Sequence, residues 1–230
     1  MKAKGGKSAH FALNLLKPVE IKKHLDEYVI GQDEMIDLLL ISILSGGHVL
    51  LEGVPGIAKT LTAKVMAKTL STGFSRIQFT PDLMPSDIVG SEILDENRQF
   101  KFIKGPLFSN IILADEINRS PAKVQAALLE AMEEGQVTIE GKSRPLPKPF
   151  FVIATQNPLS QSGTFPLPES QLDRFLMRIS LGYPDRAAEH RILTTQPGRG
   201  ALDDLEPIMT AADVVVLQDM VPKIRMDAVI

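Results

Sequence analysis

The stretch Gly53-Val54-Pro55-Gly56-Ile57-Ala58-Lys59-Thr60 constrains this chain more than any other part of its 230 residues. An apolar run, Val49-Leu50-Leu51, leads into it, and a helix-compatible run from Leu61 to Leu70 leads out. Strand, glycine-rich loop and helix in that order make a phosphate-binding P-loop. Glycines let backbone N–H groups curl around phosphate oxygens, and the following helix aims the positive end of its dipole at the same point. Lys59 supplies a point charge for β- and γ-phosphates, and the Thr60 hydroxyl is a ligand for Mg2+. Residues Gly53 through Leu61 are the candidate nucleotide contacts. Ala58 stands where the general pattern has a glycine, so the loop must accommodate its methyl group. A Gly/Pro turn carrying a surface lysine would share this local composition.

A second motif narrows the choice. Ile111-Ile112-Leu113-Ala114-Asp115-Glu116 reads as a buried strand ending in two carboxylates. Such a strand is expected beside the P-loop strand, where Asp115 would hold Mg2+ and Glu116 would polarise the attacking water. Two acids near a helix start would also suit the helix dipole. That reading neglects the P-loop upstream.

Composition removes other classes. No cysteine is present, which excludes disulfides, thiolate metal sites and a cysteine nucleophile, and fits a reducing cytoplasm. The net charge of −3 does not advertise nucleic-acid binding. The apolar run Leu38 to Ile41 resumes after Ser42 and stops at Gly46, far too short to span a bilayer. His10, His24, His48 and His190 are scattered without metal-ligand spacing.

Along the chain, residues 1–17 read as a flexible basic tail and 18–28 as a helix with Val19, Ile21 and Leu25 on its apolar face. A second helix starts near Asp33 and stops at Gly46-Gly47. Five strand-like runs come next, at 48–52, 75–79, 111–114, 150–154 and 176–180, separated by helical or irregular segments. This alternation predicts an α/β fold, a parallel five-stranded sheet with helices on both faces. A helix over 121–134 has Ser120 as its expected N-cap, Pro121 in its first turn and Gly135 as its stop. Residues 91–104 and 136–146 read as inserted β-hairpins, the second made basic by Lys142, Arg144 and Lys148. It is either a solvated loop or an element that touches a partner. After Tyr183-Pro184-Asp185 the pattern turns helical, with a turn at Pro197-Gly198-Arg199-Gly200 and a further helix over 211–219. The expected organisation is therefore tail 1–17, α/β nucleotide-binding domain 18–184, and the start of a helical lid, apparently truncated, over 185–230.

These motifs carry a resemblance. The P-loop stretch, Ala114-Asp115-Glu116-Ile117-Asn118-Arg119, Leu128-Leu129-Glu130-Ala131-Met132-Glu133-Glu134, Ala154-Thr155-Gln156-Asn157-Pro158 and Gln171-Leu172-Asp173-Arg174-Phe175 resemble the MoxR family of AAA+ ATPases over roughly residues 18–195. Ala58 before the lysine is itself similar to that family. The resemblance implies that Val29-Ile30-Gly31-Gln32 lies near the adenine and that Asn157, as sensor 1, orients the attacking water or contacts the γ-phosphate. It implies that Arg174 acts as a finger in a neighbouring subunit's site, with Arg119 a weaker candidate for contact between subunits. Arg174 itself is expected near the sheet's edge, away from its own Mg2+ site. The hairpins correspond to the helix-2 and pre-sensor-1 inserts of that clade. No Ser-Pro-Arg-like sensor 2 motif occurs, which is expected if the chain ends within the lid. The implied activity is hydrolysis of Mg·ATP by a homo-hexameric ring that remodels or assembles a protein client, a von Willebrand A domain protein being one candidate. A nucleic-acid motor and an ATP-gated scaffold remain alternatives, the first disfavoured by charge and the second by the intact Asp115, Glu116 and Asn157. No Asn-Lys-x-Asp motif for guanine is present.

Overall fold

The structure is a computed structural model that describes residues 5–53, 58–157, 164–195 and 205–224. Helices α1 (Gly5–Tyr28) and α2 (Asp33–Leu44) lead into β1 (Val49–Gly53), α3 (Lys59–Thr69) and β2 (Phe74–Gln78). A short α4 (Pro85–Val89) opens an antiparallel hairpin of β3 (Gly90–Leu94) and β4 (Phe100–Lys104). Strand β5 (Ile111–Asp115) precedes α5 (Ala122–Glu134), which runs into a second hairpin, β6 (Gln136–Ile139) and β7 (Lys142–Pro145). Then come β8 (Phe151–Gln156), α6 (Glu169–Leu172), β9 (Met177–Leu181), α7 (Arg186–Thr195) and α8 (Ala211–Met220). Among the described residues no helix is long and apolar enough to cross a membrane.

Five strands form one parallel sheet in the order β2-β5-β8-β1-β9. Each expected strand is found, with ends shifted by at most two residues. Strand β5 does not lie beside the P-loop strand, as the motif order led one to expect: β8 is inserted between them, pairing Ile153 with Val49 and Leu113 with Ile153. The reason is burial. Strand β8 is the apolar run Phe151-Val152-Ile153-Ala154, at most 1% exposed, and only a central place covers both its edges and both its faces.

Alternation along these strands feeds a core on each face of the sheet. Val49, Leu51, Ile111, Leu113, Phe151 and Ile153 pack beneath α1, α2 and α3 through Leu25, Ile36, Leu39 and Met66. Leu50, Ile112, Ala114, Val152 and Ala154 pack against the Val124, Leu128, Ala131 and Met132 stripe of α5. Gly135 ends α5 with a left-handed φ of 60°. Ser120 does not cap that helix: Pro121 is its N-cap, and the Ser120 hydroxyl turns back to donate to Ile117 O at 3.3 Å. At the N-terminal end of the sheet, buried His48 joins three elements. Its Nδ1 accepts the Val152 N–H at 3.1 Å and its Nε2 lies 3.2 Å from Met132 O. Burial pushes its pKa down to about 4, so the ring is neutral.

Two expectations about the chain's ends change. Residues 5–17, expected as part of a tail, are helical within α1. The stretch is rich in Ala, Leu and Lys, good helix formers. Within the segment expected as a lid, Arg186–Thr195 and Ala211–Met220 are helical, but residues 205–224 do not stand apart. Met209, Val214 and Leu217 are buried in the same core as α2 and α3, and Thr69 O accepts the N–H groups of Ile208 at 2.8 Å and Met209 at 3.1 Å. The expected turn at residues 197–200 lies outside the described residues. The hairpins also differ from free projections. Arg144 donates to Glu92 at 2.7 Å and its guanidinium lies 4.0 Å from the Phe102 ring centroid, so one hairpin is tied to the other.

Candidate functional site

In an open α/β sheet ligands bind beyond the carboxyl ends of the strands. Here that end holds a cleft of about 910 Å3. It is lined by Gly53, Ala58, Lys59, Thr60 and Leu61 from the first motif, by Asp115, Glu116 and Arg119 from the second, and by Asn157 just past β8. Val54, Pro55, Gly56 and Ile57 lie outside the described residues. The sheet thus brings together side chains up to a hundred residues apart because β1, β5 and β8 end at the same level.

Ala58 has φ 58°, in the left-handed region, and immediately precedes α3. This explains why the general pattern has glycine there: the conformation costs an L-residue about 1–2 kcal/mol. The Ala58 carbonyl accepts from the N–H of Thr62 at 2.9 Å and from its hydroxyl at 3.0 Å, which anchors the turn. Lys59 Nζ donates to Gly53 O at 2.9 Å. Burial lowers its pKa, while Asp115 and Glu116 pull the other way.

The two acids are held by a network. Thr155, a buried residue of β8, donates its hydroxyl to Asp115 Oδ1 at 2.6 Å and accepts the Glu116 N–H at 2.9 Å. Asp115 Oδ2 accepts from Arg76 Nε at 3.2 Å and NH2 at 2.6 Å. That NH2 also donates to Gln78 Oε1 at 2.8 Å. Glu116, itself at φ 57°, receives Gln78 Nε2 and Arg119 NH1 on Oε2, each at 3.0 Å. Arg119, expected at a contact between subunits, is therefore bonded inside the cleft. Arg76, Gln78 and Thr155 do not stand out in the sequence. The available signal was Arg76 and Gln78 two positions apart in β2, which places them on one face, and Thr155 as the first polar residue after the apolar run of β8.

Among the described residues no group of three or more His, Cys, Asp or Glu side chains converges on one point. Asp115 and Thr60 both line the cleft and supply one carboxylate and one hydroxyl for a metal ion. That suits Mg2+, which keeps several waters and takes phosphate oxygens beside one or two protein ligands.

Other expected residues lie elsewhere. Arg174 does not line the cleft: it comes after α6, precedes the outer strand β9 and pairs with Glu133 of α5. Val29 and Ile30 are buried in the interior, so a base nearby could meet little more than their backbone. Gly31 and Gln32 line a separate cleft of about 690 Å3 with Arg178 and Tyr183. Gly31 has φ 76°, and a Cβ there would come within 2.5 Å of the Ala188 Cβ on α7, so only glycine fits this approach.

Residues 48–177 match the model of the "ATPase family associated with various cellular activities (AAA)". The chain is 46% identical to YeaC of Bacillus subtilis over 206 residues, covering 89% of this chain and 64% of that protein. It is 48% identical to the chaperone MoxR1 of Mycobacterium tuberculosis over 197 residues, covering 84% of this chain and 51% of that one. The chain thus spans between half and two thirds of these relatives' length. A crystal structure described as a "putative ATPase" from Cytophaga hutchinsonii superimposes with a TM-score of 0.86 at 47% identity, covering 96% of this chain and 68% of that one.

Proposed function

The chain belongs to the MoxR family of AAA+ ATPases, and we propose that it binds and hydrolyses Mg·ATP and uses the cycle to remodel or assemble a partner protein complex. One observation carries the reading. Lys59, Thr60, Asp115, Glu116 and Asn157 come from three separate motifs and line a single cleft at the carboxyl end of a parallel sheet.

The roles follow from chemistry. Lys59, Gly53 and the loop to Leu61 hold the phosphates. Thr60 and Asp115 hold the metal, which when bound neutralises charge on the β- and γ-phosphates. Glu116 is the base for the attacking water and Asn157 orients that water. The Gly31 backbone borders the adenine. Arg174, outside its own cleft, serves a neighbouring subunit's cleft in a homo-hexameric ring, and the tied hairpins face the protein client, for which a von Willebrand A domain partner is the candidate. Action in the cytoplasm fits the absence of cysteine.

Two substitutions test this. Lys59→Ala should abolish ATP binding measured by calorimetry; normal affinity would sink the P-loop assignment. Glu116→Gln should bind Mg·ATP normally yet hydrolyse it about 10²–10⁴-fold more slowly, the range for a positioned acid–base group. Turnover at the unmodified rate would assign the base elsewhere.

A further inference from the structure

The acid assigned to the metal already carries a cation. Both N–H donors that reach Asp115 Oδ2 come from Arg76, at 3.2 and 2.6 Å. The Thr155 hydroxyl occupies Oδ1 at 2.6 Å. A carboxylate oxygen has about two lone-pair sites. Oδ2 is therefore filled, and neither a metal ion nor a water bound to one can use it while Arg76 stays. The arginine is not locked in place. Strand β2 is an outer strand of the sheet, and the Arg76 side chain is 47% exposed whereas Asp115 is 19% exposed. Its NH2 has a second acceptor in Gln78 Oε1, which holds the guanidinium over the cleft.

We propose that Arg76 is a positioning residue that competes with Mg2+ for Asp115. It neutralises the acid in the unloaded cleft, leaves Oδ2 when the metal arrives with the nucleotide, and so raises the Mg2+ concentration at which the site loads. The inference rests on the ATPase reading above. The competition favours the metal because a divalent ion brings phosphate oxygens with it. A half-exposed ion pair with both donors on one carboxylate oxygen opposes it only modestly.

The test is a Mg2+ titration of the protein with a fluorescent ADP analogue, so that no hydrolysis intervenes. Arg76→Gln should load at about three- to tenfold lower Mg2+. Arg76→Lys, charged but with a single nitrogen in place of the Nε and NH2 pair, should fall between. An unchanged or higher midpoint in Arg76→Gln overturns the proposal. Failure of the unmodified protein to bind the analogue at any Mg2+ concentration would instead overturn the ATPase reading, and this one with it. Should Arg76→Gln not fold, the unmodified protein still decides the matter. The side-chain 15N signal of Arg76 Nε should shift with Mg·ADP but not with ADP in a chelator. The same spectrum under both conditions overturns the proposal.

Discussion

Arg144 and Arg76 each hold a carboxylate at close to the same distance, 2.7 Å to Glu92 and 2.6 Å to Asp115. Their surroundings differ. Arg144 is 27% exposed, Glu92 is 14% exposed, and the guanidinium also covers the Phe102 ring, which packs edge-on against Phe108. Arg76 and Arg119 are each 47% exposed, and among the described residues neither lies over an aromatic ring. The hairpin pair is therefore part of the packing, and the cleft pairs are exchangeable. An ion pair becomes a structural tie when an apolar surface holds the planar cation and excludes water, because exposed pairs alone contribute little.

The comparison can be broken or sharpened by substitution. The largest effect should come from a third pair, Arg174 with Glu133, exposed like the cleft pairs but outside the cleft. A finger acting across an interface contributes about 10³–10⁵ in turnover. Arg174→Ala should keep ATP affinity and lose activity on that scale, and mixing it with Lys59→Ala should restore part of it. No recovery in confirmed mixed oligomers would return Arg174 to the class of surface pairs.

His48 is the opposite extreme, a buried polar group. Its pKa is lowered to about 4 in the fold, against about 6.5 in an unfolded chain. The unfolded state binds more protons between those values. The stabilisation is thus complete above pH 6.5 and is lost as pH falls toward 4, by about 3 kcal/mol. Urea titrations across that range should show the slope in the unmodified protein and a flatter one in His48→Leu. Equal slopes would move the effect to other groups.

Smaller changes are expected at the hairpins. Arg144→Ala removes the ion pair and the ring contact together and should cost about 1–2 kcal/mol in urea unfolding, with ATP affinity unchanged. A loss below about 0.5 kcal/mol would place Arg144 with the exchangeable arginines. Lys142 reaches the same Glu92 at 3.5 Å but is 66% exposed. Lys142→Ala should shift stability by less than about 0.5 kcal/mol. A larger cost would mean that exposure is a poor guide to which pairs matter.

Much of the fold was legible in residue order. The five strands, both hairpins and α5 announce themselves through apolar period and turn residues, which act within a few positions of one another. The lysine, the threonine and the two acids are legible for a related reason: each sits at or just beyond the end of an apolar strand, and a parallel sheet presents its strand ends to ligands.

Long-range pairing decided the rest. The insertion of β8 between β5 and β1 put the Thr155 hydroxyl between two acids. The pairing of Gln78 with Asp115 in register set Arg76 and Gln78 beside the acids. The docking of 205–224 on the core and the tie between hairpins depend likewise on partners far away in the chain. The sequence by itself determined which segments are strands and which supply the residues of the candidate site. Only the tertiary structure decided which polar side chain meets which acid. Burial, not sequence proximity, selects a strand's neighbours, and those neighbours choose its side chains' partners.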